Sequence, residues 1–286
     1  MDWVSTIVNG LLIGSLYGLF GLGLAFAFGI MRIVNVAHGE FIVLAAYIGY
    51  FLSTSLGLPP ALNVIVVALI GVAIGYLLQA GLLNRVIGAD PLRPLILTFG
   101  LSIIMRNAMA ELFGADLRSI DAGALKTASV DFGGLSIGVL PLVLFVVTAA
   151  CFGLLFWIIR QTRFGRNIRA AADDADTIEI FGVDHRRIYA AAMGIAIAMS
   201  CVAGVLLGMR SGFTPFSGVD RLLIALEVVI IGGAGSMFYT FFGGLLLGVA
   251  HLVGLKFDPG SGLLFAHLTF LAVLLFRPQG FAGVRT

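Results

Sequence analysis

Residues 3–31 read WVSTIVNGLLIGSLYGLFGLGLAFAFGIM, without one charged side chain. A helix that crosses the roughly 30 Å hydrocarbon layer of a bilayer needs about 20 such residues, so this stretch is read as a full span. Charge-free runs recur at 41–84, 132–159, 188–209 and 228–255. Cutting the chain at charged and Pro/Gly-rich breaks gives apolar segments at 4–29, 39–56, 60–83, 93–113, 137–159, 188–209, 222–234, 237–255 and 262–276. The expected fold is all-α and polytopic, one transmembrane domain over 1–286 with eight to ten helices. The segment 222–234 is short for a crossing and ends in Gly232-Gly233-Ala234-Gly235, so a broken or re-entrant helix is expected there.

Composition agrees with a lipid environment. The chain is 60% hydrophobic and 11% charged, against about 25% charged in soluble domains. A net charge of +2 gives no reason to expect a nucleic-acid partner. The N-terminus has no positive n-region, and its apolar run exceeds that of a signal peptide, so it reads as a retained first helix. Cys151 and Cys201 both lie in apolar runs, where a thiol behaves as a small hydrophobe.

Alternating the loops puts Arg32, Arg85, Arg93, Arg160, Arg163, Arg166, Arg169, Arg186, Arg187, Arg277 and Arg285 on one side, and Arg118, Lys126, Arg210, Arg221 and Lys256 on the other. The positive-inside rule then makes the N-terminus external, and makes the loop 160–187 and the C-terminus cytoplasmic. The external loop 114–134 is the largest feature of its face and is expected to meet a soluble partner. Gly10, Gly14 and Gly18 recur at four-residue spacing and suit close helix packing in lipid. A second glycine region, Gly232 to Gly248, is expected to bend its helix.

Polar residues at membrane depth carry the functional information. Asn35-Val36-Ala37-His38-Gly39-Glu40 separates two apolar runs without an ordinary hydrophilic loop. In one reading Asn35 caps the second helix and Glu40 complements its positive end. In the other, a broken helix end points into a translocation path, with Glu40 and His38 as gate residues. Arg106, Glu111 and Glu227 must also face protein or water. Arg106 and Glu111 stand five apart, a poor intrahelical spacing, so at least one needs a partner on another helix.

The loop 160–187 holds a segment, 170–181, in which Ala171, Ala175, Ile178 and Phe181 share one helical face, with Asp173, Asp176 and Glu179 mostly opposite. Gly182 is a stop and Asp184 a cap for the next helix. An amphipathic but acidic helix suits a protein partner better than an anionic lipid surface. Neither Lys126 nor Lys256 sits in a GxxxxGK[ST] phosphate loop, and His38, His185, His251 and His267 show no metal spacing. Catalytic and metal residues are therefore expected to be none. Read from residues alone, three classes stay open: an importer subunit that relies on a separate ATPase, a proton-coupled secondary transporter using Glu40, His38 and Glu227, and a membrane subunit with an assembly role.

GSLYG at 14–18, GLGL at 21–24, Phe28-Gly29 and Asn35-Val36-Ala37-His38-Gly39 resemble the opening of the inner-membrane permeases of bacterial branched-chain amino acid ABC importers. The resemblance continues through TFGLS at 98–102, TRFG at 162–165 with Arg169-Ala170, Phe181-Gly182-Val183, GGAGS at 232–236, Gly243-Gly244 with Gly248, and Arg277-Pro278-Gln279-Gly280. It implies a type II ABC importer-like permease fold in the bacterial inner membrane. It also implies a homologous second permease subunit, two cytoplasmic ATPase subunits and an external substrate-binding protein. No cofactor would be bound by this chain; ATP and Mg would be used by the ATPases.

The resemblance implies an ATPase-coupling helix at Ala171, Ala172, Ala175, Ile178, Phe181 and Gly182. Candidates for the pathway or gate are Asn35, His38, Glu40, Thr98, Glu227 and Tyr239, with helix breaks at Gly39, Gly232, Gly233 and Gly235. The family commonly has an apolar residue at Glu227, Gly at Tyr239 and Phe at Val36. The expected solute is therefore a small polar organic molecule, an amino acid first, with urea or amides as alternatives.

Overall fold

The computed structural model describes residues 3–88, 90–132 and 135–283; the side chains of Phe132, Leu135 and residues 175–177 also lie outside the described set, as does Arg285. Helices α1 (Trp3–Met31), α2 (His38–Leu56), α3 (Pro60–Gly81), α4 (Leu92–Phe113) and α5 (Val139–Gln161) are followed by two short helices, α6 (Arg163–Asp173) and α7 (Ala175–Ile180). Then come α8 (His185–Arg210), α9 (Gly218–Gly232), α10 (Met237–Phe257) and α11 (Gly262–Phe276). Each of the nine apolar segments coincides with one of α1 to α5 or α8 to α11. Among the described residues seven helices, α1 to α5, α8 and α10, are long and apolar enough to cross a membrane, and α11 is a shorter apolar helix.

Local chemistry explains several boundaries. Gly57 ends α2 in the left-handed conformation (φ 63°), its NH bonded to Leu52 O, and Pro60 starts α3 at the position where a missing NH costs nothing. Thr162 caps α6 by accepting from Gly165 N at 3.0 Å, and Asp184 caps α8 by accepting from Arg186 N at 2.9 Å. The expected start of the seventh segment moves back to Gly218, behind a capping box in which Thr214 N donates to Ser217 Oγ.

α1 and α8 form the centre and are buried along most of their length. They run antiparallel: Tyr17 and Arg210 line one cavity on the Trp3 side of Gly23, where a Cβ would overlap Ala196 O. Each of these central helices has the same sequel. α1 leads through the non-helical stretch 32–37 to the shorter α2 and then to α3, which packs against α8 where Gly75 meets Gly194 and Gly71 meets Ala198. α8 leads through 211–217 to α9 and then to α10, which packs against α1 where Gly14 meets Gly244 and Leu245. The chain thus contains two units of one design in opposite orientation. The two glycine regions seen in the sequence are the two faces of one contact. The expected bend of the second is confined to Gly233 and Gly235, since α10 runs unbroken through Gly243, Gly244 and Gly248.

α3, α4 and α5 bury one stripe each and turn apolar side chains such as Leu69, Ile96, Phe99, Ile104 and Val146 outward. A bilayer or a second membrane subunit leaves such a surface stable. The loop 114–134 is more structured than expected. Ile120 is buried against Gly208 and Gly49 and its NH bonds Gly208 O at 2.8 Å, while Arg118 pairs with Phe213 as a β-bridge. A hairpin follows, β1 (Ser129–Phe132) antiparallel to β2 (Leu135–Gly138). Gly133 and Gly134 lie outside the described residues.

Candidate functional site

The first turns of α2 and α9 meet inside the bundle. A Cβ at Gly39 would overlap the carbonyl oxygen of Gly218, so the two backbones approach as only glycine permits. His38, the first residue of α2, reaches Phe20 O in the middle of α1 with Nε2 at 2.7 Å, and Ser200 Oγ on α8 lies 3.4 Å from its Nδ1. Two positive helix ends therefore converge beside the buried side chains of His38 and Glu40.

Glu40 answers that field. Its side chain is 2% exposed, and Oε1 accepts from Arg106 Nη2 at 2.6 Å and from Nε at 3.0 Å. Oε2 is turned to Gly218 at the start of α9. The carboxylate thus sits at the ends of both α2 and α9 and is paired with a guanidinium from α4. Arg106 has found its partner on another helix; Glu111, one turn further along α4, is exposed.

Asn35 does not cap α2. Its Oδ1 accepts from Ala37 N at 3.0 Å, ahead of the helix, because the backbone at Ala37 has already left the extended geometry that a capping residue needs. Thr98, fully buried on α4, accepts from Val36 N at 3.1 Å and donates to Pro94 O at 2.9 Å. Asn35, His38, Glu40 and Thr98 therefore gather around the start of α2. The expected helix break at Gly39 is corrected to the stretch 32–37, since Gly39 is already helical. Arg106, which sequence reasoning gives a partner on another helix but no place among the pathway candidates, joins them. The signal for it is present: an arginine in an apolar segment with no acid at helical spacing.

Glu227 belongs to a second cluster. Its Oε1 lies 2.5 Å from His267 Nδ1 on α11. On α1 and α10, Tyr17 Oη and His251 Nδ1 stand 3.3 Å apart. Sequence alone gives neither histidine a partner, because a lone histidine in an apolar run carries no spacing signal. Tyr239 joins neither cluster; it is 39% exposed in the first turn of α10, its ring edge-on to Phe238. Gly232 closes α9 with its α-carbon against Thr240, and Gly233 (φ 93°) and Gly235 (φ 86°) make the turn into α10. Gly235 also lets Gly29 approach, which brings this turn to the Met31 end of α1.

The segment 160–187 lies at that same end, since Ile168, Arg169 and Ala172 line a cavity with Phe26, Gly29 and Ile30. The expected single helix over 170–181 is corrected to two, because Asp174 leaves the helical region (φ −154°, ψ 104°). Asp is a weak helix former whose side chain competes for backbone bonds. The face assignment changes with it. Ala171 and Ile178 are buried against the bundle and Ala172 is half-buried, while Ile180 and Phe181 are 83% and 78% exposed. The side chain of Ala175 lies outside the described residues. Gly182 stops α7 in the left-handed conformation (φ 77°), its NH on Glu179 O at 2.9 Å. Glu179 Oε1 meets His185 Nδ1 at 2.6 Å, and Tyr189 Oη donates to Ala171 O at 3.3 Å, tying the segment to α8.

Converging helix ends, a charge pair between Glu40 and Arg106 and a glycine turn at 233–235 are features that membrane transporters commonly place at membrane depth. Comparison with known proteins gives the same direction. The family described as branched-chain amino acid transport system, permease component, matches residues 6–275. The high-affinity branched-chain amino acid transport system permease protein BraD of Pseudomonas aeruginosa is 32% identical over 98% of this chain and 96% of its own length. Escherichia coli K12 LivH is 28% identical, over 98% of this chain and 96% of its own. The LivM permease of the same organism is 28% identical, over 93% of this chain and 67% of its own. No solved structure matches the chain.

Proposed function

The chain belongs to the branched-chain amino acid transport permease family, a permease subunit of an ABC importer, and from that premise we infer how it is assembled and what it carries. The carrying observation is a family match that runs through 6–275, which includes every helix of both inverted units. The solute is a branched-chain or other amino acid, as the names of BraD and LivH suggest for those proteins; urea or amides by the same mechanism are the alternative.

The single membrane domain crosses nine times, with α9 and α11 as the short spans, in a type II importer-like fold of the bacterial inner membrane. At 15 residues each, these two are about 22 Å long, so neither crosses alone; α9 is completed by the non-helical stretch 211–217. The N-terminus is external and the C-terminus cytoplasmic. The supporting observation is the excess of arginine in the loops of the Met31 end, where the segment 160–187 also lies.

A second permease subunit covers part of the outward apolar surface, and the likeness of this one chain to both LivH and LivM favours a heterodimer. Of the two ATPase subunits of the assembly, one docks on the segment 160–187 of this chain, with Ile180 and Phe181 as the exposed apolar contact. An external binding protein delivers the solute. ATP and Mg are used on the ATPases, and this chain carries neither.

The test is uptake into proteoliposomes. The full assembly should take up leucine only with both ATP and binding protein, and this chain alone should take up none. Uptake by the chain alone, driven by a pH gradient, would overturn the reading.

A further inference from the structure

A cavity of about 210 Å³ opens between α1, α8 and α9, lined by Leu16, Tyr17, Phe20, Leu207, Arg210, Ser211 and Arg221. It holds two cations and no carboxylate. Arg210 and Arg221 make no ion pair among the described residues, and Arg221 Nε is buried without a hydrogen-bond partner. The buried acids of the bundle are engaged elsewhere, Glu40 by Arg106 and Glu227 by His267. Asp220, beside Arg221 in sequence, is exposed, and adjacent residues on a helix do not face each other.

We propose that this cavity binds the carboxylate of the carried solute on the outer half of the pathway. The identity of that solute as an amino acid rests on the permease reading above; the charge preference of the cavity does not. Two partly desolvated guanidinium groups without a counter-charge are costly, and an arriving anion removes that cost. Guanidinium is also the group that grips a carboxylate through paired N–H donors. Tyr17 adds a neutral donor. Tyr17 Oη stands 3.3 Å from His251 Nδ1; in the tautomer that carries the proton on Nδ1, the phenol proton points into the cavity. The volume is below the ~300–1,000 Å³ of sites for drug-sized ligands and suits a small solute or its charged end. Arg210 and Arg221 are two of the five basic residues assigned to the outer face, where cations are sparse, and they converge on one cavity.

The experiment uses the purified chain in nanodiscs, with Cys151→Ala and Cys201→Ala to silence the native thiols and Ser211→Cys as reporter at the cavity. Its modification rate is read with an anionic (sulfonatoethyl) and a cationic (trimethylammonioethyl) methanethiosulfonate. The anionic reagent should react at least about tenfold faster, as expected for a focused positive field. Arg210→Gln with Arg221→Gln should bring the two rates together. Arg221→Lys, which keeps the charge, should retain the preference and so separates loss of the site from misfolding. Millimolar L-leucine should slow the anionic reagent, and leucinol, which lacks the carboxylate, should not.

Equal rates for the two reagents in the parent, or a preference that survives loss of both arginines, would overturn the site. Equal protection by leucine and leucinol, or none by either, would overturn the carboxylate assignment. Neither result bears on ATP-dependent uptake by the assembly, so the site and the permease reading fail separately.

Discussion

Arg106 Nη2 lies 2.6 Å from Glu40 Oε1, joining α4 to the point where the first turns of α2 and α9 meet. The pair is 66 residues apart in sequence and holds a peripheral helix to the centre of the bundle. Removing one partner leaves the other charge uncompensated, which costs about 3–5 kcal/mol for a buried pair. Arg106→Gln alone should therefore lower thermal stability in detergent more than Arg106→Gln combined with Glu40→Gln. Additive losses in this cycle would mean that the two side chains do not act as a pair.

The glycine contacts between α1 and α10 set a second expectation. A Cβ at Gly14 would stand 2.5 Å from Gly244 O and 2.7 Å from Leu245 Cα, both backbone atoms that cannot move aside singly. Gly14→Ala should cost about 1–3 kcal/mol by overpacking. A methyl group at Gly153, in the middle of α5, would meet nothing within 4 Å, and Gly153→Ala should gain about 0.5–1 kcal/mol from helix propensity. Unfolding curves of the two variants side by side decide the matter.

Thr98 stitches the non-helical stretch 32–37 to α4 through its bond to Val36 N. Thr98→Val keeps the shape and removes the acceptor, leaving a partly buried NH unmet at a cost of about 1–3 kcal/mol. Thr98→Ser should retain most of the stability. Hydrogen exchange at Val36, faster in the valine variant and unchanged in the serine variant, is the direct readout.

The exposed pair Ile180 and Phe181 is the part of the segment 160–187 open to an ATPase subunit, whereas Ala171 and Ile178 are turned into the bundle. Ile180→Ser with Phe181→Ser should reduce ATPase co-purification at least about tenfold, the loss of some 1.4 kcal/mol or more, while leaving membrane insertion intact. Undiminished co-purification would move the docking surface elsewhere.

Most of the helices were readable because a long charge-free run has one stable state in lipid. The nine apolar segments needed only length, the positions of charge and the Pro/Gly-rich breaks. Helix stops at Gly57, Gly182 and Gly233 were similarly local, since a positive φ favours glycine wherever the chain makes such a turn. The facing of 170–181 was not readable, because Ala171 and Ile178 are apolar whether a face looks at the bundle or at a partner. The hairpin 129–138 was hidden too: its pairing of Val130 with Ile137 is a cross-strand contact with no helical or span-length signature.

Residue chemistry alone thus determined that this chain lives in a bilayer, where its helices lie, and that Glu40, Arg106 and Glu227 each require a partner, because an isolated charge in lipid is costly. Which partner each found was a tertiary decision. Glu40 pairs with Arg106, Glu227 with His267, and Gly14 packs on Gly244 across more than two hundred residues of chain. The glycine contact depends on two inverted units closing on each other, and the two charge pairs on α4 packing beside α2 and α11 beside α9, relations of distant backbones that no local run of sequence carries. The same closure leaves Arg210 and Arg221 facing one cavity with no acid opposite them.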